Sequence, residues 1–183
     1  MLACRQGDAV KRFLVLLIGL AASVSVSAAD LPKGLIRLDG RAAPALKLTD
    51  LSGRTTDLAA LRGQWVMVHF WASWCGPCRK EMPTIQSLSE KIQADRLRIV
   101  LVNTAESDDT AFAFLAIVAP DIDTLMDHDG AVTDRWQPRG LPSTFLVDPD
   151  GRLRYLALGG RTWDADPYLG FLKGLPPAAK GRP

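Results

Sequence analysis

The feature that most constrains this chain is a pair of cysteines three positions apart, placed soon after a strongly apolar stretch. The apolar stretch covers residues 65–71, and the pair lies in the run Trp74-Cys75-Gly76-Pro77-Cys78. After Cys78 the apolar residues recur at intervals of three or four, which is the period of a helix. The cysteines therefore lie at a predicted junction between a strand and a helix. Two thiols at this spacing can open a foreign disulfide and then release it, which makes dithiol–disulfide exchange the first functional hypothesis.

The composition is that of an ordinary globular protein. The 183 residues are 48% hydrophobic and 23% charged, which is enough for one hydrophobic core and unlike disordered or fibrous chains. Basic and acidic side chains are equal in number once residues 1–29 are set aside. The sequence therefore gives no electrostatic reason to expect nucleic acid or an anionic membrane surface as a partner.

Residues 1–29 are predicted to be a signal peptide or an N-terminal membrane anchor. A basic segment through Arg12 precedes an apolar segment, and small residues follow up to Ala29. Cleavage after Ala28 or Ala29 fits the small-residue rule for signal peptides. An uncleaved anchor is the alternative, although the apolar or small stretch from Phe13 to Ala29 is short for a membrane span. Either interpretation predicts export.

The number of cysteines narrows the chemistry. Cys4 lies before the apolar segment and is interpreted as a bystander, so removing the leader leaves only Cys75 and Cys78. An exported protein with one cysteine pair is not a disulfide-stapled scaffold. A closed zinc site is not expected, since it needs four ligands and the only histidines are His69 and His128. A Cu(I) site at the two thiolates stays open as a secondary role. We expect no resident metal and no cofactor beyond the cysteine pair.

The rest of the pattern predicts one α/β domain over residues 43–175, with a linker at 30–42 and a loose tail at 176–183. Residues 65–71 are mostly apolar at both odd and even positions, so both faces of the strand are apolar. This pattern predicts a strand in the middle of a sheet that is covered on both faces. Further strands are predicted at 46–48, 55–58, 97–102, 124–126, 143–147 and 153–158. Helices are predicted after Cys78 and at 107–118, about 132–136 and about 167–175. The apolar side of the second helix is assigned to Phe112, Leu115, Ile117 and Val118.

The two cysteines are expected to have different roles. Cys75 is predicted to be the attacking thiol because it starts the helix, where free N–H groups and the helix dipole favour a thiolate. Cys78, one turn inside, is predicted to be the shielded resolving thiol. Gly76 and Pro77 keep the junction tight, and a proline in the first turn costs no hydrogen bond. Trp74 is predicted to be exposed and to form an apolar platform for a partner protein.

The helix after Cys78 carries a glutamate on its apolar face. At about 100° per residue, Glu81 falls among the apolar residues of this helix, one turn from Cys78. A carboxylate there is expected to be desolvated, with a raised pKa, and to exchange a proton with Cys78. The alternative is a solvated glutamate whose charge is mildly favourable near the helix N-terminus. The apolar residues of this face are Met82, Ile85, Leu88 and Ile92.

The segment from Phe70 to Cys78 resembles the active site of the thioredoxin superfamily. The segments 78–83 and 140–148 narrow the resemblance to exported, TlpA/ResA/CcmG-like thiol–disulfide oxidoreductases, over about residues 43–160. An extra hairpin before the core and an extra helix–strand segment between residues 105 and 127 support the same assignment. The resemblance implies a thioredoxin-like α/β fold, with a central mixed sheet flanked by helices, an N-terminal hairpin and a central helix–strand insertion.

The resemblance also implies roles for particular residues. Cys75 and Cys78 would form the redox-active disulfide, and Glu81 would be the proton carrier. Pro142 would follow a cis peptide bond and pack beside the dithiol. The backbone of Leu141 would pair with the substrate chain, which is a form of strand addition.

His69 departs from the pattern, because thioredoxins carry a buried aspartate at this position. One interpretation is a neutral, hydrogen-bonded core histidine. The other is a proton relay that supplements Glu81.

The resemblance implies thiol–disulfide exchange with protein substrates in a bacterial-type periplasm, by a protein that we expect to be a monomer. A reductive role there needs electrons delivered through the membrane, because the compartment is kept oxidising. The implied donor is a membrane protein of the DsbD/CcdA kind, and the implied substrates are cysteines of apocytochrome c or of copper-centre proteins and copper chaperones. The alternatives are a general disulfide oxidant and a Cu(I)-binding metallochaperone that uses the same two thiolates.

Overall fold

The computed structural model describes residues 31–177. The predicted leader, with Cys4 and both of its interpretations, therefore lies outside the described residues, as do residues 178–183 of the tail. Within residues 31–177 no helix combines the length and the apolar character that a membrane span requires.

The described residues form eight strands, four helices and one short 3₁₀ helix. The strands are β1 (Leu35–Arg37), β2 (Lys47–Asp50), β3 (Thr55–Asp57), β4 (Trp65–Trp71), β5 (Leu97–Thr104), β6 (Leu125–Asp127), β7 (Ser143–Val147) and β8 (Leu153–Leu158). The helices are α1 (Gly76–Lys91), α2 (Asp108–Val118), α3 (Ala131–Trp136) and α4 (Tyr168–Lys173), and the 3₁₀ helix covers Leu58–Leu61. The predicted strands and helices of the domain are all confirmed, with bounds that shift by a few residues.

The strands form one mixed sheet in the order β1-β8-β7-β4-β5-β6-β2-β3. Strand β4 runs parallel to β5 and antiparallel to β7, and all seven of its residues are buried. This confirms the expectation of a central strand covered on both faces. The predicted N-terminal hairpin is β2–β3, and it joins the sheet through an antiparallel pairing of β2 with β6, the strand of the predicted insertion.

The two faces of β4 belong to two separate hydrophobic cores, because successive side chains of a strand point to opposite sides. Met67 and Trp71 lie in the core beneath α1, α2 and α4, whereas Val68 and Phe70 lie in the core that α3 covers. Cys75 and Cys78 belong to the first of these cores. The cysteine pair is therefore anchored on the side of the sheet that carries the long helices.

The predicted linker at 30–42 requires a correction. Strand β1 pairs antiparallel with β8, and Ala42 forms an isolated bridge with Arg152, so this segment is part of the sheet. Pairing of β1 covers the outer edge of β8, which would otherwise expose unpaired backbone groups. The domain therefore begins before residue 43. The tail is also tied down at its start, because Trp65 Nε1 donates a hydrogen bond to the carbonyl of Pro176 at 2.7 Å.

The expected apolar side of α2 is partly wrong. Phe112 is 65% exposed and Ile117 is 78% exposed. The buried residues are Ala111, Phe114 and Leu115. Phe114 packs on Trp71 with ring centroids 5.0 Å apart. Because the helix is apolar nearly all round, composition could not identify which side faces α1 and the sheet.

Candidate redox site

The cysteine pair lies where β4 ends and α1 begins. Cys75 is the N-cap of α1, and its Sγ accepts a hydrogen bond from the Cys78 backbone N–H at 3.2 Å. The two residues are joined by a disulfide, with Cα atoms 5.2 Å apart. Cys75 is 4% exposed and Cys78 is fully buried. This difference in access agrees with the predicted roles, because only Cys75 offers part of its surface to an incoming thiolate or disulfide.

The residues around Cys75 form an open rim. Gly76 and Pro77 are exposed, and Pro77 lies in the first turn of α1, as predicted. Trp74 is 71% exposed, whereas Trp71 is fully buried and donates from Nε1 to Thr124 Oγ1 at 3.0 Å. Of the two tryptophans near the pair, Trp74 is thus the one that can meet a partner protein.

The Leu141–Pro142 segment directly precedes β7, the strand that pairs with β4. The Leu141–Pro142 peptide bond is cis, as the resemblance implied. Because Phe70 pairs with Ser143, the antiparallel register brings Pro142 level with Trp71, shortly before the redox pair. The Pro142 carbonyl accepts a hydrogen bond from the Gly159 N–H at 2.9 Å. Leu141 forms no backbone–backbone hydrogen bond with any part of residues 31–177, so its peptide groups are free to pair with another chain.

Glu81 is buried, as its position on the helix predicted. It is 2% exposed, and burial raises its pKa to about 8. The indole N–H of Trp163 opposes this rise most, and the backbone N–H and the charge of Arg161 oppose it further, although that backbone N–H lies near Glu81 without meeting the geometry of a hydrogen bond. Trp163 Nε1 donates to Oε1 of Glu81, whereas Oε2 is buried with no hydrogen-bond partner among the described residues. A carboxyl group in this state holds a proton near neutral pH and can release it at modest cost.

A groove of about 630 Å³ opens beside Glu81 and α1. Its walls include Pro77 and Lys80 from α1 and the segment Gly160–Thr162 that follows β8, with Tyr168 at its far side. The groove therefore gives solvent or a bound chain a route toward the buried carboxyl group from the side of the redox helix.

His69 is fully buried on β4, on the face of the sheet that α1 covers. Its Nδ1 lies 2.8 Å from Thr144 Oγ1 on the neighbouring strand, and its Nε2 has no partner within the described part of the chain. Burial lowers its pKa to about 3. This geometry favours the neutral core histidine over the relay, because a relay would need an imidazolium in a place that disfavours charge.

A substitution of His69 by Asn tests the relay. We expect the pKa of each active-site thiol, followed by thiolate absorbance in the reduced protein, to stay unchanged, because the imidazole carries no charge near neutral pH. Thr144→Val, which removes the hydroxyl next to Nδ1, is the matched control for disturbance of packing. A shift in the thiol titration with His69→Asn that Thr144→Val does not reproduce would support the relay.

Two parts of the site were missed by the sequence analysis. Arg161 and Trp163 contact Glu81 from an irregular segment, where no periodic pattern draws attention to them. Glu106 accepts hydrogen bonds from the Ser73 N–H at 2.8 Å and from Asn103 Nδ2 at 2.7 Å, and so fixes the loop that leads to Cys75. A signal for Glu106 was available, because an acidic residue just after β5 lies at the same edge of the sheet as the end of β4.

Within residues 31–177, no three residues of the types His, Cys, Asp and Glu are grouped so that they could hold a metal ion. The Nε2 atom of His128 lies 2.7 Å from an Asp108 carboxylate oxygen on the surface.

The site and the sheet have counterparts in known proteins. The family model described as the AhpC/TSA family matches residues 40–156, which is more than half of the chain. The chain belongs to the AhpC/TSA family. Among curated members of related sequence, the thiol–disulfide oxidoreductase ResA of Bacillus subtilis (strain 168) is 32% identical over 124 residues, covering 68% of this chain and 69% of that protein. ResA of Geobacillus thermodenitrificans is 30% identical over 159 residues, covering 86% and 91%.

Solved structures of thiol–disulfide oxidoreductases share this fold. A chain from Chlorobium tepidum, described as a thiol:disulfide interchange protein DsbE, superposes with a TM-score of 0.66 at 30% identity, over 75% of this chain and 96% of that chain. The thioredoxin domain of a thiol–disulfide oxidoreductase from Bacteroides vulgatus gives a TM-score of 0.63 at 25% identity, over 73% and 94%. The predicted thioredoxin-like fold and the enzyme class are thereby confirmed: this AhpC/TSA member is a thiol–disulfide oxidoreductase.

Proposed function

We propose that this enzyme is exported and that it reduces disulfides of protein substrates through Cys75 and Cys78. The observation that carries the proposal is the cysteine pair at the start of α1, of which Cys78 is fully buried. The carboxyl group of Glu81, whose pKa is raised by burial, lies one turn further along the same helix. This is the arrangement that a stepwise exchange needs, since the two thiols must act in order and the second must lose a proton inside the protein.

In the proposed reaction the reduced enzyme begins with two thiols. The Cys75 thiolate attacks one sulfur of the substrate disulfide, which forms a mixed disulfide and releases the other substrate sulfur as a thiolate. The carboxylate form of Glu81 then takes the proton of Cys78, and the Cys78 thiolate attacks Sγ of Cys75, which releases the remaining substrate sulfur as a thiolate and leaves the Cys75–Cys78 disulfide with Glu81 protonated. The substrate gains two electrons and the enzyme loses two, so an external dithiol must reduce the enzyme again.

The surroundings of the pair support a protein substrate. The free peptide groups of Leu141 offer main-chain hydrogen bonds to an extended chain, which bind many sequences alike. The exposed Trp74 adds apolar contact area on the same rim. We further propose that the substrates are cysteines of apocytochrome c or of copper-centre proteins and copper chaperones in the periplasm, and that a DsbD/CcdA-like membrane protein supplies the electrons. The relatives described as thiol–disulfide oxidoreductase ResA and thiol:disulfide interchange protein DsbE support the coarser part of this proposal, which is exchange with protein thiols and disulfides.

The reduction potential tests the direction of the reaction. Equilibration of the enzyme with dithiol–disulfide buffers of known potential gives the fraction of the Cys75–Cys78 disulfide, which can be counted by thiol alkylation and mass spectrometry. For a reductant we expect a value closer to about −270 mV, as in thioredoxin, than to about −120 mV, as in DsbA. A value near the DsbA figure would replace the proposal with a disulfide oxidant.

A further inference from the structure

We infer that Trp163 is a positioning residue for proton transfer at the redox pair: its indole N–H occupies Oε1 of Glu81, so that the acidic proton of Glu81 is carried by Oε2. The inference rests on the proposed role of Glu81 and adds the residue and the atom through which that role is exercised.

The hydrogen bond between Trp163 and Glu81 determines which carboxyl oxygen carries the proton. An indole N–H can only donate, so the oxygen that it meets must act as an acceptor. In the neutral acid that oxygen is the carbonyl oxygen, and the proton is therefore on the other one. Trp163 Nε1 donates to Oε1 of Glu81, and Oε2 has no hydrogen-bond partner within residues 31–177. The proton of neutral Glu81 is thus assigned to Oε2.

Trp163 is held rigidly against α1. Its side chain is fully buried, and its ring packs on Tyr168 with centroids 5.6 Å apart. Its backbone N–H donates to Thr84 Oγ1 at 3.2 Å, and the same hydroxyl donates to the carbonyl of Glu81 at 2.8 Å. The Thr84 hydroxyl therefore links the backbone of Trp163 to the backbone of Glu81, the residue whose carboxyl group Trp163 orients.

Among the described residues, no side chain covers Oε2 from the direction of Gly160. A Cβ atom at Gly160 would lie 3.7 Å from Oε2 and 3.3 Å from the carbonyl of Pro77, so a side chain there would cover the oxygen and crowd the start of α1. Glycine at this position leaves Oε2 as the atom of Glu81 through which a proton can pass. Gly160, Pro77 and Glu81 all line the groove described above.

Other groups near Glu81 must be separated from its titration. They are Cys78 and Lys80 on α1, Arg161 in the segment after β8, Tyr168 on α4 and His69 on β4. Titrating the oxidised enzyme removes the cysteines, because a disulfide carries no proton. Burial lowers the pKa of His69 to about 3, so it stays neutral through the range in which Glu81 ionises.

The test is a pH titration of the indole N–H resonances of the oxidised enzyme by proton–nitrogen NMR, with Trp163 assigned through its contacts with the Tyr168 ring. We expect the Trp163 resonance to move with the ionisation of Glu81 and to stop moving in Glu81→Gln. This measurement is made on the wild-type fold. A Trp163 resonance that does not follow Glu81, or that moves equally in Glu81→Gln, would overturn the inference.

Trp163→Phe removes the donor and keeps an aromatic ring. A hydrogen bond to a charged group favours its ionised form, so we expect the pKa of Glu81 to rise by about one unit, a tenfold change in its ionisation constant. The matched control is Trp65→Phe, which removes the buried indole that donates to Pro176 and does not contact Glu81. In the reduced enzyme the pH profile of disulfide reduction should shift in the same direction with Trp163→Phe, whereas in the Glu81→Gln background Trp163→Phe should cause no shift, because glutamine does not ionise.

An unchanged ionisation of Glu81 in Trp163→Phe would reject the positioning role even if the enzyme reduced disulfides as proposed. Conversely, the NMR result does not depend on which substrate or redox direction is correct. Failure of this inference and failure of the proposed function therefore give different results.

Discussion

Replacing Cys78 by Ser is expected to stop disulfide reduction at the mixed disulfide, whereas replacing Cys75 by Ser is expected to abolish the reaction at its first step. A serine hydroxyl is not ionised near neutral pH and cannot replace a thiolate as the attacking group. Cys75 lies at the N-terminus of α1 with part of its surface exposed, and Cys78 is fully buried behind it. With Cys78→Ser, the Cys75 thiolate can still open a substrate disulfide, but no second thiol is in place to release the product.

Insulin is a convenient probe of both variants. Wild-type enzyme kept reduced by a dithiol should cleave its disulfides repeatedly, and neither single variant should turn over. Mass spectrometry of the unreduced mixtures should detect a covalent adduct through Cys75 for Cys78→Ser and none for Cys75→Ser. An adduct formed by Cys75→Ser through Cys78, at a rate similar to that of the other variant, would show that the assigned order of the two thiols is wrong.

The parts of this site that sequence could predict are those tied to a regular period. Cys78 and Glu81 fall on the buried face of α1 because a helix repeats every 3.6 residues and the apolar residues that follow define that face. Trp163 and Arg161 lie in the segment between β8 and α4, where no period exists, and only the folded chain brings them to Glu81. Their contribution could not be inferred from the residues that surround them in sequence.

The errors have a related origin. Strand β1 is three residues long, and it is a strand because β8 offers it an unpaired edge, which is a property of the folded sheet. In α2 nearly every residue after the first turn is apolar, so the inward side is chosen by Trp71 and α1 and not by the pattern of α2 itself. Phe112 and Ile117 were assigned to the core for this reason, and they are exposed instead.

Glu81→Gln is expected to change both the stability of the enzyme and the rate at which it releases its product. In the unfolded chain Glu81 ionises near its ordinary pKa of 4.5, whereas in the oxidised, folded enzyme burial raises that pKa to about 8. Between these two values the folded state holds a proton that the unfolded state has lost. The free energy of unfolding should therefore fall as the pH rises from about 4.5 through 8, by an amount on the order of 5 kcal/mol.

Glutamine carries no ionisable proton, so Glu81→Gln should lack this part of the decline. The variant should resemble the wild-type enzyme in stability near pH 4 and exceed it above pH 8, as measured by urea unfolding of the oxidised proteins across this range. Glu90→Gln is the matched control, because it makes the same change in charge at an exposed position of the same helix. If the free energy of unfolding depends on pH in the same way in the wild-type enzyme and in Glu81→Gln, the pKa of Glu81 is not raised by folding.

Although Glu81→Gln should stabilise the fold at alkaline pH, it should slow catalysis. A catalytic role would explain why a destabilising buried acid is present at this position. Without a group to take the proton of Cys78, release of the mixed disulfide should slow by about 10²-fold, the lower end of what a positioned acid–base group contributes. Stopped-flow measurement of that second step, with Glu90→Gln as the control, separates it from the first attack by Cys75.

If Glu81→Gln is both more stable at alkaline pH and slower in this step, Glu81 is retained for proton transfer at a cost in stability. A second step with unchanged rate and pH dependence in Glu81→Gln would remove Glu81 from the mechanism.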